Sequence, residues 1–327
     1  MWTIIAIFFG RQQLKAEECS VSVSVTPTKT TYAVDDLLGV DIVIINQGNP
    51  EMLRIEYPRL QSAAGGVVLR FTPSNGLVRS PGLFSFGGLS TALQLSSRRS
   101  LTVRVYLERF LEGFQTAHYS IPWDISVPCE GRAEAVTAKG VLRFDISRDH
   151  NSGLEGEYAE FVSRARAGDR YDPERTSGPP QFSETRFRLQ EAVEALRLAR
   201  SPLVIPYLEE LASLTNNSDF KTIAFASLGK FPNDGTAKSF VLQSLQSQNT
   251  QDITEALQVL KLWQIRLPEV EVRTLLIKNN QAVQVKVMDY LGSSSDPAYR
   301  ELLEEYSKHS DPRVAAEARI AATRLSK

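Results

Sequence analysis

Histidine, cysteine and net charge are all scarce in this chain, and each scarcity removes a class of function. Three histidines, His118, His150 and His309, are spread over 327 residues with no partner at metal-ligand spacing. A zinc site would require long-range convergence that no motif supports. Lys and Arg number 37 against 38 Asp and Glu, and the near-balance holds separately in residues 19–149 and 183–327. No segment carries the basic excess that releases counterions from a phosphate backbone or binds an anionic bilayer, so neither nucleic acid nor a charged membrane surface is an expected partner. The apolar run at residues 2–9 is too short to cross a bilayer, so no stable membrane span is expected. A Gly-x-Ser-x-Gly elbow and a Gly-x-x-x-x-Gly-Lys phosphate loop are missing as well. Adjacent carboxylates occur at Asp35-Asp36, Glu209-Glu210 and Glu304-Glu305. The first pair suits a turn and the others the solvated side of a helix, so none marks a catalytic acid–base pair. The expectation is a protein that is not an enzyme and takes no cofactor.

Only two cysteines are present, Cys19 and Cys129. An even count suits an oxidising compartment. If the strands carrying them are neighbours, a disulfide closes a loop of over a hundred residues, for which a chain-entropy argument gives about 4–5 kcal/mol. Two unpaired buried thiols are the alternative. Residues 1–18 read as a leader segment, with an apolar run followed by Leu14-Lys15-Ala16, half of a small-x-small cleavage site. No basic residue precedes the run, and Glu17 and Glu18 stand where a lipobox would need small residues. Periplasmic or secreted placement is therefore expected, with a cytoplasmic protein opening on a buried strand as the alternative.

From Cys19 to residue 149 the apolar period is two. "CSVSVSVTP", "LLGVDIVIINQGNP", "MLRIEYP", "GGVVLRFTP", "TALQLSS", "SLTVRVYL", "AHYSIPWDISVPC" and "KGVLRFDIS" alternate or run β-branched between Gly, Pro, Asn and Ser. About eight strands without an amphipathic helix favour an antiparallel β-sandwich of immunoglobulin-like shape. The Asn46–Pro50 cluster reads as the turn ending the second strand, and residues 107–111 as a helical turn or corner between sheets. The stretches "TKTTYAVDDLLGVDIVIINQG" and "YSIPWDISVPC" resemble the immunoglobulin-like or macroglobulin-like modules of exported bacterial proteins. That resemblance implies a spacer or binding surface.

After residue 150 the period becomes 3.6. Leu154, Tyr158, Phe161, Val162 and Ala165 share a helical face, and the Pro- and Gly-rich "RYDPERTSGPPQFS" completes a connecting segment over residues 150–182. Residues 183–327 repeat themselves. Leu196, Leu228, Leu260, Leu291 and Leu325 are separated by 32, 32, 31 and 34 residues, each with a small or β-branched residue four positions earlier: Ala192, Ala224, Ala256, Val287 and Ala321. Ser201-Pro202, Asp296-Pro297 and Asp311-Pro312 place a capping oxygen before a proline. Such a period with two short helices per unit reads as an α-solenoid of about five helix pairs, because one pair cannot bury its apolar stripe alone. "SDPRVAAEARIAATRL", "NSDFKTIAFASLGKF" and "PLVIPYLEELASL" resemble HEAT repeats of the short bacterial kind described after the phycobilisome lyases. That resemblance implies protein binding far more often than catalysis.

The expected function is a protein–protein interaction scaffold, with the helical half as binding surface and Trp263 as candidate anchor. Trp263 is equally suited to filling space between repeats. Arg164, Arg166 and Arg170 either grip a partner's carboxylates or form a solvated face. A cofactor-handling lyase-like protein is the alternative, which would show a pocket between repeats with convergent polar side chains. An envelope carbohydrate binder is the second, which would expose Tyr106, Tyr119 and Trp123 in a row; those three read as core positions.

Overall fold

The computed structural model describes residues 20–49, 52–56, 68–74, 76–80, 92–127, 135–169, 184–214, 218–278, 280–294 and 296–325. The segment 1–18, Cys19, Cys129 and residues 170–183 lie outside the described residues. An N-terminal β region precedes a C-terminal region of about ten helices.

The strands in chain order are β1 (Ser20–Pro27), β2 (Thr31–Tyr32), β3 (Gly39–Asn49), β4 (Met52–Glu56), β5 (Val68–Phe71), β6 (Val78–Arg79), β7 (Ala92–Ser96), β8 (Ser100–Tyr106), β9 (Leu111–Glu112), β10 (His118–Val127) and β11 (Val136–Ile146). All eight alternating segments of the sequence are strands, and the three additions are two-residue pairings. A three-stranded sheet is ordered β1-β3-β8 and a four-stranded sheet β2-β11-β10-β5, with small pairs β4-β7 and β6-β9 beside them. Alternation decides which side chains meet. Ile42 and Ile44 of β3, Val103 and Val105 of β8, Ile121 and Ile125 of β10 and Phe144 of β11 enter one shared core. Leu107–Arg109 forms the expected corner, a 3-10 turn.

Two details depart from expectation. Pairing is antiparallel except where β2 meets β11 in parallel at Thr31–Asp145 and Tyr32–Ile146. The Asn-Gln-Gly-Asn cluster also does not end β3. The ladder slips there, Val21 facing Asn46 and Ser20 facing Asn49, with Gly48 at φ +140°. Glycine tolerates that backbone, so the cluster makes a β-bulge and the strand continues. Buried Asn46 holds it, donating to the Leu95 carbonyl at 3.1 Å and accepting from Gly48 N at 3.2 Å.

The helices are α1 (Leu154–Asp169), α2 (Glu184–Leu198), α3 (Ile205–Ser213), α4 (Ser218–Leu228), α5 (Gly235–Ser244), α6 (Thr250–Leu262), α7 (Glu269–Lys278), α8 (Gln281–Ser293), α9 (Arg300–Tyr306) and α10 (Pro312–Leu325). Ser201, Asp296 and Asp311 accept backbone N–H groups at the starts of the segments they precede. The even helices carry the recurring motif, and its small residue is fully buried in each of the five. Packing runs α2 to α4 to α6 to α8 to α10, while α3, α5, α7 and α9 lie on their even successors. The helix assigned by sequence to the connecting segment, α1, packs on α2 and α3.

Hydrogen bonds between successive pairs reproduce the sequence period. Lys221–Asp252, Thr222–Glu255, Gln251–Ser218, Trp263–Gly229, Arg273–Glu305 and Tyr299–Leu267 join residues 31 to 34 positions apart. At α8 one carboxylate, Asp289, receives Lys261 at 2.9 Å and Arg324 at 2.8 Å. Burial pushes its carboxyl up, but these two cations outweigh burial and hold it below the ordinary range.

The two regions meet along α2. β8 is a sheet edge, and its Arg104 N–H donates to Glu191 Oε1 at 2.7 Å, so a helix carboxylate covers an edge that would otherwise be open. Arg109 reaches Glu194 at 3.3 Å, and Arg197 grips the same carboxylate with two bonds of 2.6 and 2.8 Å. Leu37 and Tyr106 of the β region belong to the helical core.

The packing of α8 on α10 can be tested at Gly292, where an added Cβ would lie 2.6 Å from both Cα and Cβ of Ala321. Gly292→Ala should destabilise the chain by about 1–3 kcal/mol from overpacking, more than the roughly 1 kcal/mol alanine returns in helix propensity. Gly156→Ala in α1, where a Cβ meets nothing within 4 Å, should instead stabilise by about 0.4–1 kcal/mol. Chemical denaturation of both variants checks the pair.

Candidate functional site

Small residues leave a groove where α3 and α4 face α5 and α6. Ala212 and Ser213 end α3, Ser244 ends α5, and Ser247, Gln248 and Asn249 form the turn into α6. None of these fills the space between pairs, and the opening has a volume of about 520 Å³, within the range of ligand and peptide sites. Phe225 of α4 and Phe240 of α5 line it, their rings 5.7 Å apart and tilted by 35°.

An ion pair also lines the groove. Lys221 is 4% exposed and donates to Asp252 Oδ1 at 2.7 Å and to the Ala212 carbonyl at 2.8 Å. Asp252 Oδ2 accepts from Ser247 Oγ at 2.8 Å. Burying opposite charges is tolerable only when their remaining bonding capacity is met, and the serine and the carbonyl do most of that. The pair is neutral in sum. Around it stand uncharged amides: Gln243, whose Nε2 is 3.4 Å from Ser239, Gln248, and Asn249, whose Oδ1 caps α6 on Gln251 N at 2.9 Å.

A second concentration of ionisable groups lies at the junction of the regions. Glu108 is buried, its Oε1 accepting from Leu38 N at 3.0 Å and its Oε2 without a partner among the described residues. Burial pushes its carboxyl up from the ordinary range, while Arg200, backbone N–H groups and Lys230 pull it back less strongly. Lys230 donates to the Arg197 carbonyl.

The residues singled out from sequence are placed as follows. Trp263 follows α6 half-buried, its indole N–H donating to the Gly229 carbonyl at 2.8 Å. Tyr106, Tyr119 and Trp123 are buried. Arg164 pairs with Glu160 and Arg166 with Glu210, while Arg170 lies outside the described residues. His118 meets Asp145 at 2.8 Å, His150 meets Asp35 at 3.1 Å, and His309 accepts from Asp311 N at 3.0 Å. The three are not brought together, and no cluster of potential metal ligands occurs among the described residues. Asp36 accepts from Ala33 N at 2.8 Å in the expected turn. No helix among the described residues is long and apolar enough to cross a membrane. The groove was missed by sequence reasoning because its walls come from helix ends that are separate in the chain.

No family model matches the chain, and no curated protein matches it. A solved structure of a mutant alpha-2-macroglobulin from Salmonella is weakly similar, with a TM-score of 0.24 and 10% identity over 94% of this chain and 26% of that one. The chain thus spans about a quarter of that protein's length, and a likeness at that level carries no argument about the fold.

Two outcomes are expected. Lys221→Met leaves Asp252 without its cation and should cost about 3–5 kcal/mol, while the double change Lys221→Met with Asp252→Leu should cost much less; a double-mutant denaturation cycle reads the difference. Because Glu108 binds its proton more tightly in the folded chain, its contribution to stability is fullest below the unfolded carboxyl value and declines as pH rises through the raised folded value. Glu108→Gln should remove that decline from the stability–pH profile.

Proposed function

We propose that the chain is a non-enzymatic protein-interaction scaffold acting outside the cytoplasm, an immunoglobulin-like β-sandwich joined to a HEAT-like α-solenoid. The observation that carries this reading is the set of hydrogen bonds linking residues 31 to 34 positions apart. Bonds one period apart at the α4–α6 and α7–α9 steps support stacking into an elongated surface, and solenoids present such surfaces to partners. The even helices pack more closely along the stack than the odd ones, and in this reading they form the concave side. The Glu191 and Glu194 contacts hold the sandwich against the first pairs, so the β region acts as a rigid support.

A second reading, binding of a small molecule, is supported by the groove between pairs, the feature a cofactor-handling relative would need. It predicts visible absorbance or a co-purifying compound on the purified full chain.

Photo-crosslinkers placed at Gln258 and Lys286, on α6 and α8, test the scaffold reading in native envelope preparations. A discrete protein adduct that depends on the native fold is expected. Absence of any protein adduct, together with turnover of a small substrate, would overturn it. Thiol titration of the denatured, unreduced chain tests the placement: export requires that neither Cys19 nor Cys129 titrates, and two free thiols would contradict it.

A further inference from the structure

The groove at the α3–α6 junction holds one bonding group that the fold leaves unused. A lysine ammonium has three N–H donors. Those of Lys221 meet Ala212 O and Asp252 Oδ1, and the third has no partner among the described residues although the side chain is buried in the groove wall. A buried donor left unmet costs free energy, so a ligand oxygen bringing the missing bond gains more there than at an exposed lysine.

The surrounding charge decides which oxygen. Asp252 already cancels Lys221, and Lys221 is the one cation among the groove's lining residues. A carboxylate or phosphate would bring uncompensated negative charge beside Asp252, whereas a neutral carbonyl adds none. The Gln243 and Gln248 amides, together with the Asn249 Nδ2 left over from helix capping, each match the alternating donors and acceptors of a peptide backbone. Phe225 and Phe240 offer an apolar floor. A phosphorylated ligand would not use that floor.

We infer that the groove binds an extended, uncharged segment of a partner protein, seating one apolar side chain on Phe225 and Phe240 and one backbone carbonyl on the third N–H of Lys221. This rests on the interaction-scaffold reading and specifies where the partner enters. Specificity comes from the anchor side chain, register from the lysine, and tolerance of neighbouring residues from the exposed amides of the rim.

The test uses the full chain and a displayed library of linear peptides, followed by titration of the enriched peptides in solution. Ser244→Trp and Ser213→Trp fill the groove from opposite walls, so a folding defect in one, checked by thermal unfolding, leaves the other usable. Enriched peptides should lack net charge, share an apolar residue, and lose about tenfold or more in affinity for both filled variants. Enrichment of nothing, equal binding to the filled variants, or binding that requires an acidic side chain or free C-terminal carboxylate would each overturn the assignment. The photo-crosslinked adduct separates the two readings. If it persists in both filled variants, the scaffold stands and the groove assignment falls; if the native chain gives no adduct and turns over a small substrate, the scaffold itself falls.

Discussion

A two-helix unit of this size has an apolar stripe too wide to cover by itself, and nearly everything in the second half of the molecule answers that constraint. From α2 to α8 each even helix places a small or β-branched residue and a leucine where the next pair must come to rest. The small residue sets how closely backbones approach, and the limit is reached at Gly292, which has no Cβ to hold α10 away. The core is therefore continuous through all five pairs and runs back to Leu37 and Tyr106 in the β region. Stability of such an array depends on neighbours more than on any single unit.

Polar groups follow the same step. Once the leucines set the spacing, side chains at equivalent places in successive units fall within bonding distance, which is why so many partners lie about one period apart. These bonds contribute register more than energy, since exposed pairs are individually weak. Lys221 and Asp252 differ because they are taken out of water between two pairs. Their hydrogen bonds offset much of the desolvation, and one ammonium N–H has no partner among the described residues.

The junction of the regions works by a different balance. Three charged side chains of α2, Glu191, Glu194 and Arg197, are buried there. Each carboxylate is met by cations or by an edge-strand N–H, so the helix closes the sheet and the sheet fixes the helix. Glu108 is the exception, half-satisfied and raised in pKa by its burial. Its raised value ties the stability of this junction to pH.

Local pattern was enough to determine the elements. Period two in "SLTVRVYL" and "HYSIPWDISV", the leucine spacing, and the capping oxygens before Pro202, Pro297 and Pro312 are all properties of short stretches, and strands and helices follow from them. What short stretches do not carry is who meets whom. The Asn46–Asn49 cluster has turn chemistry, yet pairing with β1 turned it into a bulge, because the β1 partner outweighs a local turn preference. Glu191 and Lys221 are buried because α2 meets β8 and α4 meets α6. The groove likewise exists only where the ends of α3 and α5 come together. Burial of a charge and the shape of a cavity depend on distances between segments far apart in the chain, and only the tertiary structure sets those distances.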